Sequence, residues 1–289
     1  MSASRFLITG ASGQLGRLVV DGLLKSVPPA QIGVLVRSEK VAAEFAAKGL
    51  HVHIGDYSNP ETLGPAFAGV ERALLISSSE IGQRAVQHRN AIEAARAAGV
   101  SLLAYTSLLH ADTSPLGLAE EHRQTEAALK ASGVPHALLR NGWYSENYTA
   151  SIPAALAHGA LLGSAGNGRI ASAARADYAE AAVRVLTAEQ PQAGRIYELA
   201  GDDAYTLAEF AAELSKQSGK AVAYRDLPQG DYEAALIAAG LPKPFAALLA
   251  DSDAGAAKGA LFDDSRTLSQ LIGRPTTPIA TTISAALKA

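Results

Sequence analysis

Hydrophobic and polar residues along the first half of the chain alternate between two patterns. Short runs that are almost entirely apolar, as in strands buried on both faces of a parallel sheet, occur at Arg5–Thr9, Ile32–Val36, Val52–Ile54, Ala73–Ile76, Leu102–Thr106 and Ala137–Leu139. Longer stretches with apolar residues at helical spacing lie between them, at Gln14–Lys25, Val41–Lys48, Thr62–Phe67, Gln83–Ala98 and Ala119–Ser132. This alternation predicts an α/β fold with a doubly wound parallel sheet of the Rossmann type.

A glycine-rich turn, Gly10-Ala11-Ser12-Gly13-Gln14-Leu15-Gly16, joins the first predicted strand to the first predicted helix. A diphosphate needs close backbone approach, unpaired N–H groups at a helix N-terminus and tight packing of helix on strand. The three glycines meet these needs, although their spacing is GxxGxxG and not GxGxxG. We therefore predict a dinucleotide-binding turn, with a turn that binds nothing as the alternative. The predicted contacts are Gly10, Ala11, Ser12, Gly13, Gln14 and Leu15.

The residue after the second predicted strand indicates which dinucleotide binds. An NAD site usually has an acidic residue there to accept from the ribose 2′-hydroxyl, whereas a 2′-phosphate requires cations. Arg37 occupies this place, and Lys40 follows as a second positive charge. The pattern therefore predicts NADPH, unless Arg37 is an ordinary exposed arginine. Asp56, after the third predicted strand, either reaches the adenine or belongs to a simple turn.

The alternation ends near Asn141, and glycines then cluster at positions 159, 163, 166 and 168. Beyond them the pattern predicts helices at Asp177–Thr187, Leu207–Ser218 and Ile279–Leu287, and strands at Ile196–Leu199 and Val222–Tyr224. Neither a second glycine fingerprint nor an internal repeat follows. We expect a single domain over residues 1–289, with residues 1–150 mainly a dinucleotide-binding core and residues 151–289 mainly a smaller C-terminal substrate lobe.

Composition narrows the partners and the compartment. The chain has no cysteine, which removes disulfide and thiolate chemistry and favours the cytoplasm. Its net charge is −3 without blocks of like charge, so neither nucleic acid nor a membrane is expected as a partner. The apolar run that follows Met1–Ser4 is too short for a signal peptide. A small-molecule partner is favoured, and the oligomeric state stays open, a homodimer included.

Several strings of residues carry a family resemblance: Gly10–Gly16, Arg37, Ser77–Glu80, Tyr105–Ser107 and Arg140–Asn147. At these strings the sequence resembles the NmrA-like branch of the atypical short-chain dehydrogenases, and the resemblance covers essentially the whole chain. It implies an NADPH cleft that also includes Ser77, Ser78, Ser79, Asn141, Gly142, Trp143, Tyr144, Ser145 and Glu146. It further implies hydride transfer to a quinone stacked on the nicotinamide beneath the C-terminal lobe.

Two related alternatives accompany that resemblance. Triphenylmethane dye reductases share the glycine turn and the arginine, and the same branch contains regulators that sense NADP(H) without turnover.

Aromatic residues after the sixth predicted strand are candidates for the wall that holds a quinone, or else for the core of the C-terminal lobe: Trp143, Tyr144 and Tyr148.

The Tyr-x-x-x-Lys pair of short-chain dehydrogenases is missing from the corresponding stretch, His122–Glu126. A quinone spreads the incoming charge over its ring and can take protons from water, so the absence favours quinones over simple ketones. His122 is the one substitute acid, but its neighbours Glu120, Glu121 and Arg123 predict a solvated helix start. We therefore assign no catalytic residue.

Other polar pairs do not form recognisable sites. His51 and His53 lack a third ligand at metal spacing, so no metal site is assigned. Ser107 and His110 occur without a Gly-x-Ser-x-Gly elbow, which argues against a hydrolase.

Overall fold

A seven-stranded sheet is the central feature of the computed structural model, which describes residues 4–289 and leaves Met1–Ala3 outside the described residues. Its strands are β1 (Phe6–Ile8), β2 (Ile32–Val36), β3 (His51–Ile54), β4 (Arg72–Leu75), β5 (Leu102–Leu108), β6 (His136–Asn141) and β8 (Ile196–Leu199). The order across the sheet is β3-β2-β1-β4-β5-β6-β8, and the pairs β1–β2, β2–β3, β1–β4 and β4–β5 are parallel. The order reverses between β1 and β4, so the predicted doubly wound fold is confirmed.

Helices connect and follow these strands. They are α1 (Gln14–Leu23), α2 (Glu39–Ala46), α3 (Leu63–Phe67), α4 (Arg84–Ala97), α5 (Ala119–Ser132), α6 (Ser145–Thr149), α7 (Ile152–His158), α8 (Arg175–Thr187), α9 (Leu207–Ser218), α10 (Gln229–Ala238), α11 (Lys243–Ala256), α12 (Thr267–Ile272) and α13 (Ile279–Ala286). Within residues 4–289, none of these helices is long and apolar enough to cross a membrane.

The strand β3 differs from the prediction in its burial. It lies at the edge of the sheet beside β2, and half of the surface of Ile54 is exposed. By contrast, every residue of β1, β2 and β5 is buried. The expectation that Val52–Ile54 would be buried on both faces was therefore wrong, because a short apolar run does not reveal whether a second strand flanks it.

Two compact units make up the chain, and each is discontinuous in sequence. The first unit contains residues 4–108, 121–140 and 178–197. Its core packs side chains of the sheet against α3, α4 and α5, including Leu7, Phe67, Leu103, Tyr105 and Leu129. This unit contains the glycine turn and Arg37.

The second unit contains residues 109–120, 141–177 and 198–289. A two-stranded parallel sheet of β7 (Ala160–Gly163) and β9 (Ala223–Asp226) lies in it, and α13 packs against α6 and α9. Helix α9 begins with a capping box, in which the Thr206 side chain accepts from the backbone of Glu209 and the Glu209 side chain accepts from the backbone of Thr206. Sequence periodicity did not reveal α6, α7 or β7, since each is too short to complete a pattern.

Candidate functional site

The glycine turn has the backbone that a diphosphate site requires. Gly10 has a φ of +59°, and the N–H of Gly13 donates to the Gly10 carbonyl at 3.0 Å. Gly13 caps α1 without any side-chain hydrogen bond, so the helix presents an uncapped N-terminus. A Cβ on Gly16 would lie 2.7 Å from the Cα of Ala11, whereas a Cβ on Gly13 would meet only the Gly10 carbonyl oxygen, at 3.3 Å. The turn is thus tightly packed at Gly16, whereas at Gly13 a single backbone oxygen makes a close contact with an added Cβ.

Arg37 lies directly after β2, with its side chain 64% exposed and held by two acidic residues. Its Nη1 lies 2.7 Å from Oε1 of Glu80 and 3.7 Å from Oδ2 of Asp56. The sequence shows no acid at the end of β2, but in the fold Asp56, from the loop after β3, and Glu80, from the loop after β4, lie next to Arg37. Arg37 therefore contacts two carboxylates at the place predicted for a 2′-phosphate. The sequence patterns did not predict that Glu80 would pair with Arg37.

Hydrogen bonds to side chains of β5 and α4 hold the loop after β4, which contains Ser77, Ser78 and Ser79. The backbone N–H of Ser77 donates to the Thr106 hydroxyl at 2.9 Å, and that of Ser78 donates to Nε2 of His88 at 2.9 Å. Nε of Arg84 donates to the Ser78 carbonyl at 2.8 Å. These contacts hold the loop at the carboxyl edge of the sheet, where doubly wound folds bind ligands.

His122 is buried, so the expectation of a solvated helix start was wrong. Only 4% of its surface is exposed, and its Nδ1 lies 2.7 Å from the hydroxyl of Tyr105. Burial, followed by the charges of Arg84 and His88, lowers the pKa of His122 well below 6.5. The charged neighbours predicted exposure, but the histidine lies on the face of α5 that packs against β5. It is neutral near pH 7 and cannot act there as an acid.

His88 gives the first unit a defined response to acid. Burial, followed by the charge of Arg84, lowers the pKa of His88 from 6.5 to about 3. A proton on Nε2 would also break the hydrogen bond that the Ser78 N–H donates to this nitrogen. The folded pKa is depressed, so the stability that is present above pH 6.5 is lost as the pH falls toward 3. At pH 5 we expect His88 to cost about 2 kcal/mol of unfolding free energy.

Denaturant unfolding between pH 7 and pH 5 checks this expectation. His88→Gln should flatten the loss of stability, whereas His158→Gln, at an exposed histidine, should leave it as in the wild type. Equal slopes in both variants would contradict the assignment.

Glu126, at the position predicted to correspond to the Lys of the Tyr-x-x-x-Lys pair, forms structural contacts. Both carboxylate oxygens of Glu126 accept from Arg140, at 3.0 Å from Nε and 2.7 Å from Nη2. The hydroxyl of Ser107 also donates to Glu126, at 2.5 Å. Ser107 is thereby engaged by a carboxylate, which gives no support to a hydrolase.

The segment that follows β6 lies in the second unit. The side-chain Oδ1 of Asn141 is buried and has no hydrogen-bond partner among the described residues. An orphan acceptor of this kind fits a site that a cofactor donor completes. Tyr144 is half-buried beneath the Arg175 guanidinium, 4.8 Å from its ring centroid, and both carboxylate oxygens of Glu146 accept from the Arg175 backbone at 3.0 Å.

Trp143 and Tyr148 lie deeper in the second unit than Tyr144. Each is 6% exposed, and their ring centroids are 6.3 Å apart. The Tyr148 hydroxyl donates to Oδ1 of Asp253 at 2.8 Å, while the backbone N–H of Ser164 donates to Oδ2 at 3.0 Å. Burial raises the pKa of Asp253 to about 6, although both hydrogen bonds oppose the rise. No sequence pattern indicates Asp253, which lies within helix α11.

The remaining candidate histidines do not form a metal site. The ring of His110 lies between two carboxylates, with Nδ1 3.6 Å from Glu198 and Nε2 3.3 Å from Asp263. His51 and His53 lie on the edge strand β3. Over residues 4–289, no group of three or more metal-ligating side chains is suitable for holding an ion.

The chain is similar to known NAD(P)H-binding proteins. The NAD(P)H-binding family matches residues 10–189, which include the glycine turn, Arg37 and the loop after β4. The chain therefore belongs to the NAD(P)H-binding family. Quinone oxidoreductase 2 of Escherichia coli (strain K12) is 60% identical over 277 residues, which cover 96% of this chain and 96% of that protein. The resemblance drawn from the sequence strings is confirmed.

Solved structures show the same relationship. The NADPH-dependent quinone oxidoreductase from Escherichia coli, complexed with NADPH, superposes with a TM-score of 0.95 at 58% identity, over 98% of this chain and 99% of that one. The triphenylmethane reductase of Citrobacter sp., complexed with NADP(H), superposes with a TM-score of 0.93 at 38% identity, over 97% and 99% of the two chains.

Proposed function

We propose that this protein is an oxidoreductase that transfers hydride from NADPH to quinones. The observation that carries the proposal is 60% identity with quinone oxidoreductase 2 over nearly the whole chain. The glycine turn around Gly13 and the arginine that follows β2 fit an NADPH site. The absence of cysteine supports the cytoplasm as the compartment. Size-exclusion chromatography would distinguish a monomer from a homodimer.

In this proposal the chain binds and orients its ligands. NADPH, when bound, supplies the hydride. Backbone N–H groups at the start of α1 donate to the diphosphate, and Arg37 neutralises the 2′-phosphate. In the first unit the loop Ser77–Ser79 lines the rest of the cofactor. In the second unit Tyr144 is the accessible residue of the proposed quinone wall. His122 is buried and neutral, so protons reach the reduced quinone from water.

The test follows the loss of NADPH absorbance with quinones, triphenylmethane dyes and simple aldehydes. We expect rapid oxidation with quinones and almost none with aldehydes, since the stretch His122–Glu126 lacks the Tyr-x-x-x-Lys pair that would protonate an alkoxide. The likeness to the Citrobacter reductase makes dye reduction the second candidate. Faster turnover of dyes than of quinones would favour it, and tight NADPH binding without any turnover would indicate a sensor.

Replacing Arg37 by glutamate tests the cofactor assignment. The variant should lower NADPH affinity roughly ten- to a hundredfold, because a charge-assisted contact worth about 1.5–3 kcal/mol is lost. NADH affinity should change much less. Fluorescence titration with both cofactors measures the ratio, and a ratio equal to that of the wild type would remove Arg37 from the site.

A further inference from the structure

The acidic partners of Arg37 form an ordered group. Glu80 accepts from Arg37 through Oε1 at 2.7 Å and from Nε2 of Gln87 through Oε2 at 2.8 Å. Gln87 is only 3% exposed, and its Nε2 also donates to the Ser58 hydroxyl at 2.9 Å. Asp56 accepts from the backbone of Ser58 at 2.7 Å. Both carboxylates are thus held in place by groups other than Arg37.

A 2′-phosphate that contacts Arg37 must compete with this arrangement. The phosphate has to displace or share the Glu80 contact, and it comes close to two negative charges that Gln87 and Ser58 hold in position. Like charges a few ångströms apart at a protein surface repel, which weakens the binding of a phosphate. The 2′-hydroxyl of NADH carries no charge, so it meets no such repulsion.

We propose that Glu80 is a specificity-determining residue that limits the preference for NADPH over NADH by competing with the 2′-phosphate for Arg37. The inference rests on the proposed use of NADPH. In this arrangement Arg37 supplies the attraction, and Glu80 offsets part of it. The ratio of NADPH affinity to NADH affinity is therefore smaller than an unpaired arginine would give.

The test compares the Kd values of NADPH and NADH for Glu80→Gln and for a matched control. Glu71→Gln removes the same charge from an ion pair of similar exposure, since Glu71 is 44% exposed and lies 2.9 Å from Arg5. Glu71 directly precedes β4, whereas Glu80 follows it, so the two residues lie at opposite ends of the strands. Glu80→Gln should tighten NADPH binding about tenfold and change NADH binding less than threefold. Glu71→Gln should change neither. Glu80 is 43% exposed, so the variant should fold as the wild type does.

An Arg37→Met background shows whether the effect acts through the arginine. In that background Glu80→Gln relieves only the direct repulsion between Glu80 and the phosphate, so it should tighten NADPH binding less than threefold. The inference is overturned if Glu80→Gln leaves NADPH affinity within twofold or weakens it, if NADPH and NADH tighten alike, or if the full gain persists without Arg37. A wild-type protein that fails to bind NADPH would instead overturn the proposed function.

Discussion

Glu126→Ala should lower the free energy of unfolding by about 3–5 kcal/mol, because it removes one member of a buried ion pair. The side chains of Glu126 and Arg140 are 12% and 7% exposed, and the carboxylate takes two hydrogen bonds from the guanidinium. The Ser107 hydroxyl loses its acceptor in the same variant. Chemical denaturation at neutral pH, followed by circular dichroism, measures the loss.

An exposed ion pair in the same unit provides the control. Glu93 lies 2.7 Å from Arg96, and the two side chains are 59% and 57% exposed. Glu93→Ala should therefore cost less than about 1 kcal/mol. Similar losses in Glu126→Ala and Glu93→Ala would mean that burial does not set the strength of the first pair.

Gly13→Val should weaken NADPH binding at least about a hundredfold while the protein stays folded. The backbone of Gly13, with φ −71° and ψ 167°, is extended and accepts a branched residue. The added Cβ would contact the Gly10 carbonyl oxygen at 3.3 Å, which a backbone shift of a few tenths of an ångström relieves. A branched side chain at this glycine would obstruct the proposed diphosphate site. Calorimetric titration gives the affinity, and a thermal melt checks the fold.

Two other glycines make the result specific. Gly64→Val, in α3 with nothing within 4 Å of the added Cβ, should keep wild-type affinity for NADPH. Gly16→Ala should lower stability, because its Cβ would lie 2.7 Å from the Ala11 backbone. Undiminished NADPH binding by folded Gly13→Val would place the diphosphate elsewhere.

Much of the first unit could be predicted from sequence, since buried parallel strands and amphipathic helices leave strong periodic patterns. The predicted span of α5 and that of β2 match the structure residue for residue. The irregular segment after Asn141 was harder, because α6 and β7 are shorter than the window that periodicity needs.

The polar contacts of the site were the least predictable feature. Glu80 meets Arg37 across 43 positions of sequence, and Asp253 meets Tyr148 across 105. No local pattern encodes pairs so far apart. His122 was misjudged for a related reason: the charges beside it indicated solvent, while its own face of the helix packs under Tyr105.

The raised pKa of Asp253 means that acid affects the stability of the two units in opposite directions. A folded pKa of about 6, above the ordinary 3.8, provides stability at low pH that is lost as the pH rises through 6. His88 in the first unit works the other way, losing stability as the pH falls below 6.5. Mild acid should thus lower the hydrogen-exchange protection factors, which are corrected for the intrinsic rate at each pH, in α4 of the first unit and raise them in α11 of the second.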